Sequence, residues 1–256
     1  VWSKEKLLKR MDDDNFYYGY LGKNSLSSSS CKDLYKSPKS YFQNTNTVNS
    51  NLKPLREGRL IHTVILEEEK INDKYKFIDC STRRTKKFND EEKKYKDSDI
   101  EVMLTGELNM ANNLSNSIKF NNEVNHYFND GIAESSTIGE LFGLPFRGRA
   151  DYLKGNHLID LKTTTKLGVN GKDWLYAAKN IWHYDMQAYI YSELFSAEKF
   201  TFVVIEKGSG DIGCFEVTKK TKELAGNKVK QCVNSYKEYF IDKTSKVDDF
   251  TIKGFL

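Results

Sequence analysis

Two strand-like runs joined by a tight polar turn constrain the fold of this chain more than any other sequence feature. The runs cover residues 146–153 and 157–163, and Gly-Asn at residues 155–156 lies between them. Glycine and asparagine suit the primed two-residue turns that join twisted antiparallel strands. The sequence therefore predicts a β-hairpin whose pairing extends until Asp151 lies directly opposite Asp160.

The predicted hairpin brings two carboxylates and one ammonium group to one patch. Side chains alternate along a strand, so Asp160 and Lys162 share one face, while Ile159 and Leu161 point to the other, into a core. Opposed aspartates repel each other unless a cation lies between them, and Mg²⁺ prefers such oxygen ligands. The lysine can orient or deprotonate a water bound to that metal ion. The alternative is a solvated sheet face with Lys162 as a neutralising neighbour.

Patterns elsewhere predict helices packed around a small sheet, which gives a mixed α+β domain. Helical patterns cover residues 25–36, 53–66, 101–129, 174–195 and 219–243, and a second hairpin covers 200–207 and 212–218. Residues 72–99 are mostly charged and predict an irregular loop. We expect one domain over residues 1–256, with an N-terminal helical, Ser-rich part (1–50), a catalytic core (53–218), and a C-terminal helix and tail (219–256).

Composition excludes membrane and fibrous proteins. Hydrophobic residues make up 38% and charged residues 30% of the chain, and the mean hydropathy is −0.65. The formal charge of +4 does not by itself indicate a nucleic-acid partner. Four scattered cysteines without a CxxC pair indicate reduced thiols in a cytoplasm, with neither zinc nor an iron–sulfur cluster.

Four short motifs, taken together, resemble the RecE-type exonucleases (exonuclease VIII) of phage and prophage recombination, within the PD-(D/E)XK nuclease superfamily. They follow the order of that family and cover residues 55–67, 148–151, 159–164 and 187–191. Alanine at position 150 replaces the proline of many members. The resemblance implies a PD-(D/E)XK core, in which a central mixed sheet carries Asp151, Asp160 and Lys162. Flanking helices would carry His62, Glu134 and Gln187.

The resemblance also implies a role for each matching residue. The implied metal ligands are Asp151, Asp160, the backbone carbonyl of Leu161, His62 and Glu134. The implied catalytic set adds Lys162, Gln187 and Tyr191 to the four ligand side chains. Glu134 matches the acid that related viral exonucleases, such as lambda exonuclease, place beside a second metal. Each of these residues also has a purely structural interpretation. His62 would be a core histidine, and Glu134 would be an exposed acid at a helix end. Gln187 and Tyr191 would be packing residues of an aromatic helix.

Several residues are candidates for binding DNA. Ser29 matches a serine that binds a terminal 5′-phosphate, and Arg149 precedes the acidic hairpin motif. The dense cationic cluster of the predicted loop is a candidate phosphate track, because lysine and arginine neutralise phosphates without sequence preference; it contains Arg83, Arg84, Lys86 and Lys87. The alternative is a solvated charge mixture, since acidic residues follow closely.

The resemblance implies an exodeoxyribonuclease that requires Mg²⁺, for which Mn²⁺ can substitute. It would degrade linear double-stranded DNA from 5′ ends and leave 3′ single strands for a RecT-type annealing protein. It would act as a homo-oligomeric ring in the cytoplasm of a bacterial host, encoded by a phage or prophage, without a membrane partner. Two alternatives stay open, namely a structure- or site-specific endonuclease on the same core and a catalytically silent DNA-binding module.

Overall fold

A computed structural model describes residues 3–45 and 53–252, and the ends of the predicted N-terminal part and tail lie outside these ranges. The described residues form an α+β fold in which a five-stranded mixed sheet has helices on both faces. A separate two-stranded parallel sheet lies beside it. Within the described ranges, no helix combines the length and the apolar character that crossing a membrane requires.

The elements are numbered in chain order. The α-helices are α1 (Lys4–Leu8), α2 (Leu21–Asn24), α3 (Ser28–Lys36), α4 (Pro38–Thr45), α5 (Lys53–Leu66), α6 (Ile71–Lys74), α7 (Lys86–Lys94), α8 (Thr105–Lys119), α9 (Lys172–Asn180), α10 (Tyr184–Phe195) and α11 (Lys219–Tyr236). The strands are β1 (Tyr75–Ile78), β2 (Glu101–Leu104), β3 (Ile132–Leu141), β4 (Leu144–Lys154), β5 (His157–Thr164), β6 (Lys199–Glu206) and β7 (Ile212–Glu216).

The central sheet has the strand order β3-β4-β5-β6-β7. Strands β5 and β6 are parallel, because α9 and α10 connect them as a crossover, and the other neighbours are antiparallel. The hairpin predicted from the Gly-Asn turn is confirmed as β4 and β5. Its register pairs Lys154 with His157 and Tyr152 with Ile159.

Each face of the sheet covers its own hydrophobic core. On one face, Leu158, Phe200 and Phe202 pack with side chains of α3, α10 and α11. On the other face, Ile159 and Leu161 pack with side chains of α5 and α8. Both faces of β5 are therefore covered, and its acidic and basic side chains are held between a helical layer and the sheet.

Residues 72–99 do not form the predicted irregular loop. They contain β1, which pairs in parallel with β2, and helix α7, which Thr85 caps by accepting a hydrogen bond from the Phe88 N–H. Ile78, Phe88 and Val102 form a small separate core. Few apolar residues are enough here, because each of these short elements contributes one or two of them to that core.

Two predicted helices also differ from the structure. The helix predicted over residues 101–129 begins as strand β2, and α8 starts only at Thr105. The helix predicted over residues 174–195 is broken between α9 and α10, where His183 has a left-handed backbone (φ 49°). Strand β3 was not predicted, although it forms an edge of the central sheet.

Candidate active site

Strand β4 is irregular at Asp151. Regular alternation would put Ala150 and Tyr152 on one face, yet Ala150 belongs to one core and Tyr152 to the other. The pairing of β4 with β5 ends at Tyr152–Ile159, one pair before the predicted Asp151–Asp160 contact. The Asp151 carboxylate instead accepts the backbone N–H of Leu161 at 2.8 Å. The two aspartates are therefore not the directly paired residues that the hairpin predicted.

Glu134 lies across from Asp151 on β3, because the flanking pairs are Ala133–Tyr152 and Ser135–Ala150. Its backbone adopts the left-handed conformation (φ 49°), which is unusual for a residue with a side chain. The expectation that a helix carries Glu134 is wrong, because the residue belongs to an edge strand. The unusual backbone and the irregularity of β4 occur at the same point of the sheet.

His62, Glu134 and Asp151 form a cluster of metal-ligand type. One ligand atom from each side chain lies within 4.8 Å of the other two. Helix α5 supplies His62, whose Nδ1 is 3.6 Å from Asp151 Oδ2, and these two side chains are 25% and 15% exposed. One imidazole nitrogen and two carboxylates are a donor set that suits a divalent cation.

Asp160 and Lys162 lie next to this cluster. The Lys162 ammonium contacts Asp160 Oδ2, and the Asp160 side chain is only 2% exposed. The other carboxylate oxygen, Oδ1, accepts a hydrogen bond of 2.6 Å from Gln187 Nε2 on α10. The predicted grouping of Asp160, Lys162 and Gln187 is therefore present, and Gln187 fixes the orientation of the Asp160 carboxylate.

Burial raises the pKa values of all three acids, and the charge of Asp151 adds to the increase for the other two. Burial raises the pKa of Glu134 to about 7, and the neighbouring charge of Asp151 adds to this increase. Burial and Asp151 raise the pKa of Asp160 to about 6, although Lys162 opposes them. Burial also raises the pKa of Asp151. A cation bound among these acids would offset the cost of their ionisation.

The two basic side chains differ in protonation. Burial lowers the pKa of His62 to about 4, and the charge of Lys162 contributes, so the imidazole is neutral at pH 7 and keeps a lone pair for a metal. Burial alone would lower the pKa of Lys162, but Asp160 and Asp151 raise it above its ordinary value. Of the two roles that the sequence allowed, the structure favours a lysine that remains charged over one that accepts a proton.

Two supporting features were not predicted. The Glu67 carboxylate, 6% exposed, binds Lys70 and, at 2.7 Å, Lys74, and its charge contributes to the raised pKa of Glu134. The ring of Tyr184, at the start of α10, lies beneath the Lys162 ammonium at 5.0 Å from ring centroid to Nζ. Glu67 closes the motif that carries His62, so the sequence held a signal for it, whereas nothing in the sequence singles out Tyr184.

Tyr191 packs on helix α3 and strand β4, and burial, with smaller contributions from Tyr17, Asp160 and Asp151, raises its pKa. Its hydroxyl shares a hydrogen bond with Ser28 at the start of α3, and its ring packs on Gly148 so closely that a Cβ there would lie 3.1 Å away. Tyr191 therefore joins α3 to β4 through α10, and a side chain at Gly148 would force the Tyr191 ring to shift by a few tenths of an ångström. Ser29 is exposed in the first turn of α3, and the ligand role of the Leu161 carbonyl stays a prediction.

Two of the arginines predicted to bind DNA make internal contacts. Arg149 donates to Asp14 at 2.7 Å and to the Met11 carbonyl at 2.6 Å. Arg83 pairs with Glu107 at 2.7 Å. These guanidinium groups hold segments of the fold together. The other three cations of the predicted track, Arg84, Lys86 and Lys87, are exposed, although Lys87 also donates to the Asp79 carbonyl.

Comparison with solved structures gives the same fold. A crystal structure of an exonuclease candidate from Eubacterium rectale matches with a TM-score of 0.64 and 16% identity, over 95% of each chain. The structure of SSO0001 matches with a TM-score of only 0.30 and 18% identity, over 69% of this chain and 84% of the other, and carries no argument. No curated protein matches this chain in sequence.

Comparison with family models identifies the chain itself. Residues 27–245 match the model of a PDDEXK-like domain of unknown function (DUF3799). The matched region contains His62, Glu134, Asp151, Asp160 and Lys162, so the whole candidate site lies inside it. The PD-(D/E)XK fold expected from the sequence is therefore confirmed, and the chain belongs to the family of PDDEXK-like domains of unknown function (DUF3799).

Proposed function

We propose that this protein is a Mg²⁺-dependent exodeoxyribonuclease that degrades linear double-stranded DNA from 5′ to 3′. The observation that carries the proposal is the placement of His62, Glu134 and Asp151 within 4.8 Å of one another, next to the buried contact of Asp160 with Lys162. Membership of the PDDEXK-like family supports it. A purely structural ion pair would not explain three further ligand-type side chains at the same point.

The residues present fit a hard divalent cation. Glu134 and Asp151 offer carboxylate oxygens and neutral His62 offers a ring nitrogen. Burial raises the pKa values of both acids, and a bound cation would offset that cost of ionisation. Mg²⁺, or Mn²⁺ in its place, would supply Lewis-acid stabilisation of the phosphoryl oxygens when bound. Asp160 would complete the ligand set from β5.

Gln187 and Lys162 would have separate roles in the proposed reaction. Gln187 orients Asp160 through the 2.6 Å hydrogen bond. Lys162 keeps its proton, so its ammonium stabilises the negative charge that develops on the scissile phosphate. Asp160 and Lys162 lie between helices and the sheet. The low solvent access there strengthens both the hydrogen bond from Gln187 and the electrostatic effect of the Lys162 ammonium.

The finer features of the proposal follow the resemblance to RecE-type exonucleases. They are degradation from 5′ ends, release of 3′ single strands to a RecT-type annealing protein, a homo-oligomeric ring, and a cytoplasmic location in a bacterium that carries the phage or prophage gene. The single domain over residues 1–256 is proposed from the sequence itself. Light scattering on the purified protein tests the ring, because a ring requires a mass that is a multiple of 29.6 kDa.

A time course on end-labelled DNA tests the central proposal. Linear duplex DNA labelled at either the 5′ or the 3′ end is incubated with Mg²⁺ or with EDTA, and a circular duplex of the same sequence is the control substrate. We expect immediate release of the 5′ label from linear DNA in Mg²⁺ and no release in EDTA, and the circular duplex should stay intact in both. Cleavage of circles would instead identify an endonuclease, and DNA binding without cleavage in Mg²⁺ or Mn²⁺ would identify a silent binding module.

A further inference from the structure

A second lysine shares an aromatic ring with Lys162. The Lys32 ammonium, from α3, lies 4.5 Å from the centroid of the Tyr184 ring, and the Lys162 ammonium lies 5.0 Å from the same centroid. Two cations over one ring repel each other unless anions lie nearby. Asp160 contacts Lys162 and balances that charge, which leaves the charge of Lys32 to be explained.

Among residues 3–45 and 53–252, no carboxylate lies within ion-pair distance of Lys32 and no group accepts a hydrogen bond from it. The side chain is nevertheless partly buried. Burial, with a contribution from Lys162, lowers the pKa of Lys32 to about 8. Lys228 on α11 shows the contrast, because Asp185 pairs with it at 2.7 Å. The charges of Asp160, Asp185 and Asp33 act in the opposite direction on this pKa without cancelling the effect of burial. Lys32 thus carries a cost of desolvation that the described part of the protein offsets only in part.

A phosphate group is the anion that this position fits. The Lys32 and Lys162 ammonium groups both contact the Tyr184 ring. Lys32 therefore lies beside the site where the proposed reaction cleaves a phosphodiester. A lysine ammonium binds phosphate as a compact point charge with three donors. The exposed Ser29 lies one turn earlier on the same helix, so α3 presents a cation and a hydroxyl to one strand of DNA.

We propose that Lys32 binds an internal phosphodiester of the DNA strand, the one adjacent to the phosphodiester that is cleaved. This inference rests on the proposed nuclease function. It assigns Lys32 as a positioning residue that keeps the strand in register with Lys162. A terminal 5′-phosphate has the same chemistry, and the substrates of the experiment separate the two sources.

The experiment compares Lys32→Met with Lys32→Arg and with Lys36→Met. Methionine removes the charge but keeps the length of the side chain, and arginine keeps the charge. Lys36 lies one turn further along α3 and is exposed, so Lys36→Met is the matched control. Affinity for a linear duplex is measured in EDTA at several salt concentrations, on duplexes that carry either a 5′-hydroxyl or a 5′-phosphate. Cleavage rates are measured in Mg²⁺, and thermal unfolding is recorded for every variant.

Lys32→Met is expected to weaken binding roughly tenfold on both duplexes, a typical loss for one charge-assisted contact. The slope of log affinity against log salt should shrink by roughly 0.9, the value for one phosphate. Its unfolding temperature should equal or exceed that of the parent, because an unpaired, partly buried cation is removed. Lys32→Arg should recover most of the affinity, and Lys36→Met should match the parent.

Three results would overturn the inference. Unchanged affinity and slope in Lys32→Met would show that Lys32 contacts no phosphate. A loss confined to the 5′-phosphorylated duplex would assign Lys32 to the end of the strand. A lower unfolding temperature with unchanged affinity per folded molecule would make its role structural. In each case the parent protein still cleaves DNA, whereas a parent that neither binds nor cleaves DNA would refute the proposed function together with this inference.

Discussion

Replacing Glu134 with glutamine should stabilise the metal-free protein, which is the opposite of the usual effect of changing a partly buried residue. Burial and the charge of Asp151 raise the pKa of Glu134 to about 7, from an ordinary value of 4.5. An acid whose pKa is raised in the folded state destabilises that state wherever it is ionised, and the penalty disappears as pH falls below the unfolded-state pKa. Glutamine has nearly the same shape and carries no charge.

The magnitude follows from the difference between the folded-state and unfolded-state pKa values of Glu134. Each tenfold change in an acid's ionisation constant corresponds to about 1.4 kcal/mol, so the ionised carboxylate lowers the free energy of unfolding by about 3 kcal/mol at pH 8. The same linkage gives about 2 kcal/mol at pH 6 and less than about 0.5 kcal/mol at pH 4. The Glu134→Gln variant should therefore exceed the parent in stability by these amounts, with a difference that shrinks steadily as the solution is acidified.

Urea denaturation in EDTA at pH 8, 6 and 4 measures this difference. Glu140→Gln is the matched control, because Glu140 is an exposed acid on the same strand, and it should leave stability almost unchanged. Adding Mg²⁺ at pH 8 should stabilise the parent more than Glu134→Gln, because the variant lacks one carboxylate ligand. A Glu134→Gln variant that is less stable than the parent at pH 8, or a difference that does not depend on pH, would refute the electrostatic account of this cluster.

Four further predictions concern the site and its surroundings. Lys162→Ala should lower the cleavage rate roughly a hundredfold or more while DNA binding in EDTA persists, and single-turnover assays check this. Mg²⁺ or Mn²⁺ should raise the unfolding temperature of the parent, with about 2.7 kcal/mol gained at a metal concentration one hundred times the dissociation constant; a melting temperature indifferent to both ions argues against the metal cluster. Arg83→Ala should cost about 1–3 kcal/mol of stability in urea titrations, because it removes the cation that pairs with the mostly buried Glu107 carboxylate. Replacing the exposed Arg84 and Lys86 by alanine should instead lower the salt slope of DNA binding, by roughly 0.9 per lost phosphate contact.

Local patterns were enough to predict the centre of the fold. A Gly-Asn turn between two alternating runs determines the register of β4 and β5, and alternation alone places Ile159 and Leu161 in a core. Helix α5 was predicted from its apolar spacing with the bounds that the structure shows. These features depend on residues that are close in sequence, so short-range physical rules apply to them directly.

Errors occurred where distant segments decide the local structure. Strand β1 has only four residues and exists because β2, more than twenty positions later, pairs with it. Helix α7 packs its single buried phenylalanine against these strands. A charged segment of this kind has almost no hydrophobic periodicity of its own. Its sequence therefore predicts a loop unless the partner strand is already known.

The geometry of the site itself depends on backbone irregularities that no pattern of residue types reveals. A regular hairpin would pair Asp151 with Asp160, and the prediction followed that rule. The pairing of β4 and β5 ends before these residues. The Asp151 carboxylate instead accepts a hydrogen bond from the Leu161 N–H. The left-handed backbone of Glu134 lies directly opposite, on a strand that the sequence did not reveal. Such backbone strain persists only where surrounding structure enforces it, and it is concentrated at functional sites. The departure from a regular sheet coincides with the convergence of His62, Glu134 and Asp151. The residues that the resemblance singled out therefore lie together, although the predicted pairing of Asp151 with Asp160 is wrong.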